Sequence, residues 1–443
     1  MSEQKPSSAV SHDTPPEPPP RENPRELRID LVHDLLESLI RPRDPGDGTA
    51  HAEALLHDAY RERASDIHLD PDSSGLRVRF RVDGVVLDAA IIARKEGRRL
   101  VNQLKGMAKV DPVAMFVPEE ARFDFCIDGR TIDFRVELAP CLNGDKITVR
   151  VLEPRRVQQR IHQLGLAKPQ LLRIENWLGN VNGMFLVAGP TGSGKTTTLY
   201  ALLHEFRLLE RSVITVEDPV ECQINGVTQI QVNESRGLTF SEGIKAMLRL
   251  DPDYMLVGEV RDAASARAAL DAAVTGRTLM STLHSRDAVS AVTVLRNFGL
   301  TDHEIASVLS MMVTQRLVRK LCPACRCEER PTDLERRWLE AAGVPPLDRV
   351  WHSVGCDACR GLGFIGRTGV FEVWPLEEDD HALILEHTGE NVLRDHLGSR
   401  GHRFLLTDAL EKVEAGVTSL SELRTMGGFG WFRSRSPGPT GPR

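Results

Sequence analysis

The sequence lacks the features that would assign it to a membrane or exported class. No apolar run approaches the ~18 residues that a membrane-spanning helix needs. The opening residues, MSEQKPSSAVSHD, do not show the basic and then apolar pattern of a signal peptide. We therefore expect a cytoplasmic protein that reaches the inner membrane only peripherally, through partners.

An excess of positive charge is also missing. The 443 residues include 56 Lys and Arg against 63 Asp and Glu, which gives a formal net charge of −7. A broad, nonspecific nucleic-acid surface favours a basic balance, so we expect no stable nucleic-acid partner. The hydrophobic share of 41% and the charged share of 27% are typical of a soluble globular chain.

Composition and periodicity divide the chain into six segments. Residues 1–49 are Pro-rich and predicted to be mostly disordered, apart from a short amphipathic helix with Leu31, Leu35, Leu36 and Leu39 at helical spacing. Residues 50–152 begin with a helix and continue with alternating strands, which predicts a small α+β domain. A charged linker spans 153–169, and 170–320 alternate apolar strands with helices, the pattern of an α/β fold with a mostly parallel sheet. Residues 321–427 hold cysteine pairs and helices, and 428–443 form a predicted disordered tail.

A phosphate-binding loop is predicted where the strand MFLVA meets a helical segment. The stretch fits the pattern G-x-x-x-x-G-K-[ST] between a strand and a helix, which is the context that supports a P-loop. Glycines let backbone N–H groups converge on phosphates, Lys195 would reach the β- and γ-phosphates of ATP, and Thr196 would ligate Mg²⁺. The residues of the predicted loop are Gly189, Pro190, Thr191, Gly192, Ser193, Gly194, Lys195, Thr196 and Thr197.

Two acids follow apolar strands downstream of this loop. Glu217 ends SVITVE and Glu259 ends YMLVGE, which places both at the carboxyl edge of the predicted sheet, where such folds bind ligands. A solvated acid at a strand end is the alternative for each. His284 ends a third strand and either senses the γ-phosphate or is a structural residue, and the sequence alone does not decide between these.

Arginines alternate along a strand of the upstream domain. Arg77, Arg79 and Arg81 share one face, opposite Val78, Phe80 and Val82, and Arg135 and Arg150 lie in later strands. The pattern fits a solvated polar face, or a cationic surface that closes over ATP and neutralises phosphate charge.

Four of the eight cysteines form two C-x-x-C pairs, Cys322 with Cys325 and Cys356 with Cys359. This spacing suits a closed, structural Cys₄ zinc site, and Cys327 is a spare ligand candidate. Redox cysteines or metal-free knuckles are the alternatives. The remaining cysteines, Cys126, Cys141 and Cys222, are isolated and are expected in the core.

The ordered set of motifs resembles the ATPases of type II secretion and type IV pilus assembly. The matching stretches are ASDIHLDP, VRFRVDG, GPTGSGKTTTLYA, TVEDPVE, LRLDPDYMLVGEVRD, TGRTLMSTLHSRDA, QRLVRKLCPAC and GCDACRGLGFIGRTGVFEV. The resemblance implies a RecA-like P-loop ATPase domain, preceded by a small PAS-like α+β domain and followed by a Cys₄ zinc subdomain and helices. It also implies an acid-rich box at Glu217, Asp218 and Glu221, and a Walker B strand ending at Glu259. The implied nucleotide contacts are His284 and the arginines Arg79, Arg81, Arg135 and Arg150.

The same resemblance implies a hexamer that uses ATP, Mg²⁺ and Zn²⁺ and acts on an inner-membrane platform protein. The sequence departs from the family pattern at Arg277, where a histidine is usual, at Leu250, and at Glu120-Ala121-Arg122. Secretion members also carry a sizeable further N-terminal docking domain, in whose place we expect the mostly disordered residues 1–49. Retraction ATPases of pili lack that domain but also lack the cysteine pairs, so the cysteines favour the assembly and secretion branch.

These observations predict an Mg²⁺-dependent ATPase motor that powers pilus or pseudopilus assembly. The sequence leaves open which of Glu217 and Glu259 activates water. The alternatives are a nucleotide-regulated scaffold with little turnover and a DNA translocase.

Overall fold

The computed structural model describes residues 29–40, 49–111, 117–152, 159–179, 181–206 and 210–426. The predicted disorder at residues 1–28 and 428–443 lies outside the described residues, as do positions 153–158 of the predicted linker. Among the residues that are described, no helix is long and apolar enough to cross a membrane.

A six-stranded antiparallel sheet forms the first unit, with strand order β3-β2-β1-β6-β5-β4. Its strands are β1 (Ala64–Pro71), β2 (Gly75–Val82), β3 (Val85–Ala93), β4 (Glu119–Ile127), β5 (Arg130–Cys141) and β6 (Gly144–Leu152). Its helices are α1 (His33–Ile40), α2 (Ala50–Arg61) and α3 (Arg94–Met107). The α+β class is confirmed, while the PAS-like arrangement of this unit stays a prediction.

The amphipathic helix α1 packs onto this unit. Leu31, Val32 and Leu35 are buried in the same hydrophobic cluster as the sheet. The buried Asp58 carboxylate of α2 accepts the backbone N–H groups of Asp34 (3.1 Å) and Leu35 (2.8 Å). Asp58 thus supplies acceptors from the neighbouring helix to the backbone at the start of α1.

A seven-stranded sheet forms the second unit, with strand order β15-β12-β7-β11-β10-β8-β9. Its strands are β7 (Met184–Ala188), β8 (Val213–Glu217), β9 (Thr228–Gln231), β10 (Tyr254–Val260), β11 (Thr278–Leu283), β12 (Leu309–Leu321) and β15 (Phe364–Pro375). All pairings are parallel except that of β15 with β12. The predicted parallel α/β sheet is therefore confirmed.

Helices cover both faces of this sheet. They are α4 (Lys168–Gly179), α5 (Lys195–Leu203), α6 (Phe240–Leu248), α7 (Ala263–Val274), α8 (Ala288–Asn297) and α9 (Asp302–Val308). Alternate residues of β7 enter two different cores, with Met184 and Leu186 on one face and Phe185 and Val187 on the other. A strand buried on both faces explains why MFLVA is continuously apolar.

The C-terminal part contributes directly to the ATPase sheet. It contains the two-stranded sheet β13 (Arg326–Glu329) and β14 (Val350–Ser353), and the helices α10 (Asp333–Ala341), α11 (Glu378–Leu385), α12 (Glu390–Ser399), α13 (Leu405–Glu414) and α14 (Leu420–Thr425). Strand β15, which comes after the cysteine pairs, pairs along most of β12, and its Trp374 is buried in the main core. The sheet thus continues past the predicted segment boundary at residue 320.

The C-terminal part also touches the small domain beside the cysteine pairs. The backbone N–H of Gly366 donates to Asp83 Oδ2 at 2.7 Å, and Arg360 forms an ion pair with Glu62. Leu362 packs against the small domain's hydrophobic cluster. These contacts fix the arginine-bearing domain against the part of the chain that carries Cys359.

The expectation that the isolated cysteines are core residues is wrong. Cys126 and Cys141 are exposed, and Cys222 is only partly buried. Cys126 lies on β4 at the sheet edge, Cys141 ends β5 at a hairpin, and Cys222 lies in the loop after β8. Edges and turns leave side chains accessible, and the residue type alone does not reveal such a position.

Candidate functional site

The glycine-rich loop lies between β7 and α5, as the sequence predicts. Gly189, Gly192 and Gly194 have φ values of 156°, 76° and 89°. Gly194 is the residue before α5, and a Cβ there would approach Gln315 Nε2 to 2.7 Å. Glycine at this position therefore provides both the left-handed backbone and the close approach of β12.

Lys195 lies over the loop that it follows. Its Nζ donates to the carbonyl oxygens of Gly189 (2.9 Å) and Pro190 (3.2 Å). Desolvation lowers the pKa of Lys195, the negative charge of Glu259 opposes this shift, and the positive charge of Arg316 reinforces it. The lysine ammonium, one acid and one arginine thus share one electrostatic environment at the loop.

Glu217, at the end of β8, is buried and held by three donors. Its side chain accepts hydrogen bonds from the Tyr200 hydroxyl, from Thr215 Oγ1 (2.5 Å) and from Gln229 Nε2 (3.1 Å), and the residue is 3% exposed. Burial and the charge of Glu217 raise the pKa of Tyr200, so the phenol keeps its proton and donates. A carboxylate offers about four acceptor positions, so Glu217 is nearly saturated.

Glu259, at the end of β10, has a more open environment. Its Oε1 lies 3.3 Å from Nε2 of His284, and both side chains are partly exposed, at 35% and 45%. The parallel strands β10 and β11 bring this acid and this histidine to the same sheet edge. The environments of the two predicted acids therefore differ, since Glu217 is buried and nearly saturated with hydrogen bonds, whereas Glu259 faces solvent and Lys195.

A third acid, Glu221, contacts the loop directly. Its carboxylate accepts a hydrogen bond from the Thr196 hydroxyl, the group predicted to ligate Mg²⁺. Although much of the residue's surface is exposed, desolvation of the carboxylate and the charge of Glu217 raise the pKa of Glu221, while Thr196 and Arg150 lower it. Arg150 of the small domain thus lies within electrostatic reach of the acid-rich box.

The predicted arginines form ion pairs on the small-domain sheet. Val78 and Phe80 are buried on the opposite face, which confirms the alternation along β2. The pairs are Arg79 with Asp70 (2.7 Å), Arg81 with Asp66 (3.4 Å), Arg135 with Glu120 (2.8 Å) and Arg150 with Asp66 (3.1 Å). Of these, Arg150 is the one for which the described residues show an interaction with the acid box.

Several polar residues complete the site although the sequence alone assigned them no role. Gln315 on β12 accepts a hydrogen bond from Thr198 at 2.6 Å, across 117 positions of sequence. Its neighbour Arg316 donates to the backbone oxygens of Gln315 (2.9 Å) and Arg286 (2.7 Å) and so links the loop wall to the segment after His284. Tyr200 lies within the quoted stretch TTTLYA, and only the fold shows that its hydroxyl reaches Glu217.

The four paired cysteines converge as predicted. The sulfur atoms of Cys322, Cys325, Cys356 and Cys359 all lie within 4.8 Å of one another. Three sulfur pairs are 3.8 Å apart. A tetrahedron with Zn–S bonds of about 2.3 Å has edges of about 3.8 Å, so the geometry fits zinc. The spare candidate Cys327 instead hydrogen-bonds to Glu329 at 3.4 Å and lies outside this group.

Comparison with known proteins identifies the family. The family model described as "Type II/IV secretion system protein" matches residues 49–425. The chain is 38% identical over 374 residues to the type II secretion system protein E of Aeromonas hydrophila, covering 84% of this chain and 74% of that one. It is also 38% identical over 387 residues to the type II secretion system ATPase E of Vibrio cholerae, covering 87% and 76%.

The chain belongs to the type II/IV secretion system protein family. Solved structures of ATPases share its fold. The Legionella pneumophila ATPase DotB aligns with a TM-score of 0.63 at 21% identity, covering 87% of this chain and 97% of that one. The pilus retraction motor PilT, solved with bound ADP, aligns with a TM-score of 0.56 at 21% identity, covering 84% and 96%. The RecA-like fold class is thereby confirmed for this secretion-family protein.

One departure from the family pattern lies far from the nucleotide loop of this secretion-family chain. Arg277 precedes β11 and forms an ion pair with Asp251 at 2.9 Å, before β10. His284 follows the other end of β11, about 20 Å away at ~3.3 Å per residue. Within one chain, Arg277 therefore lies at the sheet edge opposite the P-loop.

The cysteine geometry generates a prediction for metal content. We expect about one zinc per chain in the purified protein, and Cys322→Ser should lose it, because removal of one thiolate opens a closed four-ligand shell. Elemental analysis of the protein after dialysis against a weak chelator measures this directly. Cys327→Ser is the matched control and should retain the metal. Full zinc retention in Cys322→Ser would contradict the assignment.

Proposed function

We propose that this chain is an Mg²⁺-dependent ATPase that drives the assembly of a pilus or pseudopilus. The observation that carries the proposal is the meeting of Lys195, Glu217 and Glu259 at one sheet edge, in a chain of the secretion family. The loop amides and Lys195 bind the phosphates of ATP. A bound Mg²⁺ would be held by Thr196 and Glu259 and would neutralise charge on the phosphates.

We assign Glu217 to the orientation of the attacking water. Three donors make its carboxylate a rigid acceptor with about one position left. Phosphoryl transfer depends mainly on positioning and electrostatic stabilisation, so a rigid acceptor suits this role better than a strong base would. His284, whose Nε2 lies 3.3 Å from Glu259 Oε1, orients that second acid.

The small domain supplies positive charge to the same reaction. The positive charge of Arg150 lies within electrostatic reach of Glu221, beside Thr196, and so near the place where phosphate charge would accumulate. Arg79, Arg81 and Arg135 line the same domain, and their ion pairs keep them ordered until the domain moves. Hydrolysis would then depend on the position of this domain relative to the loop.

Family membership indicates which process the energy of ATP hydrolysis drives. We infer a homo-hexamer, peripheral at the inner membrane, that transmits domain motion to a membrane platform protein and so adds pilin-like subunits. The relatives named for type II secretion support the secretion machine over a retraction motor. The cysteine quartet serves as a structural centre.

The first test of this function is removal of the phosphate-binding lysine. Lys195→Ala should lower ATP hydrolysis by about two to three orders of magnitude, as expected when a principal charge-stabilising donor is lost. Lys168→Ala, an exposed lysine on α4, is the control and should hydrolyse at the wild-type rate. A wild-type rate in Lys195→Ala would refute the assignment. A wild-type protein as slow as Lys195→Ala, with ATP binding intact, would favour a nucleotide-regulated scaffold.

The hydrogen bond from Tyr200 to Glu217 gives a second test. Tyr200→Phe keeps the buried ring but removes the donor, so Glu217 loses part of its fixed orientation. A hydrogen bond to a charged group contributes about 1.5–3 kcal/mol, so we expect kcat to fall about tenfold or more with KM for ATP nearly unchanged.

Tyr254→Phe is the matched control for this variant. Tyr254 stacks on Phe206 with ring centroids 4.1 Å apart and packs at the edge of the same core. Its substitution should leave kcat unchanged. Equal kcat values for the two variants would remove Tyr200 from the mechanism.

A further inference from the structure

A cleft of about 430 Å³ opens on the small domain between α3 and the hairpin that joins β5 to β6. Its polar lining comes from Arg94, Arg98, Asn102, Lys105, Asn143 and Asp145. This volume lies within the range of small-molecule sites. No residue of the nucleotide loop or of the acid-rich box lines the cleft.

Helix α3, which forms one wall of the cleft, packs closely against β2 and is held to the hairpin by an ion pair. A Cβ at Gly97 of α3 would come within 2.6 Å of the Leu76 Cβ, so only glycine lets α3 lie this close to β2. Lys105, 1% exposed, donates to Asp145 Oδ2 at 2.7 Å and ties α3 to the hairpin. Burial of this pair makes it costly to break, which keeps the hairpin in place.

The charge of the lining is strongly one-sided. Asp145 is the one acid among the lining residues, and it is engaged by Lys105. Arg94 and Arg98 are exposed on adjacent turns of α3. Among the described residues, neither guanidinium forms a hydrogen bond or an ion pair. The cleft thus keeps an excess of two positive charges in a chain whose net charge is −7.

The cleft is remote from the proposed site of hydrolysis. Strand β6 begins at Gly144 beside the cleft and carries Arg150 toward Glu221. Six residues of strand at ~3.3 Å each separate the two positions by about 20 Å. A ligand in the cleft therefore contacts neither the phosphate loop nor its acids.

We propose that this cleft binds a phosphate-bearing small molecule or headgroup. Two guanidinium forks one helical turn apart match phosphate oxygens, which arginine binds in pairs. The amides of Asn102 and Asn143 offer donors and acceptors to the remainder of the ligand, and Leu142, 99% exposed on the hairpin, offers an apolar wall. The proposal is independent of ATP hydrolysis, since it concerns a different surface.

Site-resolved labelling of arginines by phenylglyoxal tests the proposal on the full chain. Inorganic pyrophosphate should slow the modification of Arg94 and Arg98 severalfold, as mapped by peptide mass spectrometry, and should leave the exposed Arg330 unaffected. The Lys195→Ala chain should show the same protection, because the cleft does not need the phosphate loop.

A second arm of the labelling experiment identifies the source of the phosphate. Vesicles containing phosphatidylglycerol replace pyrophosphate as the protecting agent. Protection by pyrophosphate alone assigns a soluble ligand, and protection by the vesicles assigns a lipid headgroup. Protection of Arg94 and Arg98 in neither arm overturns the proposal.

Calorimetry with pyrophosphate, in the Lys195→Ala background, distinguishes binding at a specific site from nonspecific electrostatic attraction. Arg94→Ala/Arg98→Ala should weaken binding at least about tenfold, since two charge-assisted contacts are lost. Lys95→Ala/Lys109→Ala removes two positive charges from the same helix region outside the cleft and should leave the affinity nearly unchanged. If both double variants weaken pyrophosphate binding equally, the proposal is overturned.

Discussion

The hydrogen bond from Tyr200 to Glu217 joins the two parts of the molecule on which the site depends. Tyr200 lies on the helix that begins at the phosphate loop, and Glu217 ends the strand that carries the acid-rich box. A carboxylate that is 3% exposed is expensive to bury unless donors surround it. Tyr200, Thr215 and Gln229 meet that requirement, and the same contacts fix where the acid points.

The site residues come from distant parts of the sequence, and the parallel sheet brings them together at this edge. Glu259 and His284 reach the loop because β10 and β11 run parallel to β7. The wall opposite them comes from β12, whose Gln315 contacts α5 and whose neighbour Arg316 contacts the segment after His284. Strand β15 extends the sheet, and its Gly366 contacts the small domain at Asp83. The cysteine quartet, the arginine-bearing domain and the loop therefore share one continuous framework.

The sequence predicted those features whose physical cause is local. The phosphate loop, the apolar strands and the two cysteine pairs are contiguous patterns, and each lies where the pattern places it. The donors to Glu217 and the roles of Gln315 and Arg316 depend on contacts across the sheet, so no spacing rule revealed them. The exposure of Cys126 and Cys141 was missed for a related reason, because a sheet edge or a hairpin end is a property of the whole fold.

We propose that the small domain supplies positive charge to hydrolysis at the loop, and Arg150 is the residue at which this role is most directly measured. Single-turnover hydrolysis of ATP by Arg150→Ala should be slower than wild type by at least about tenfold, because phosphate charge would lose a neutralising partner. Arg77→Ala, whose arginine pairs with Asp88 at 2.7 Å on the same domain, should hydrolyse ATP at the wild-type rate. Equal single-turnover rates for Arg150→Ala and the wild-type protein would show that the small domain does not supply this charge.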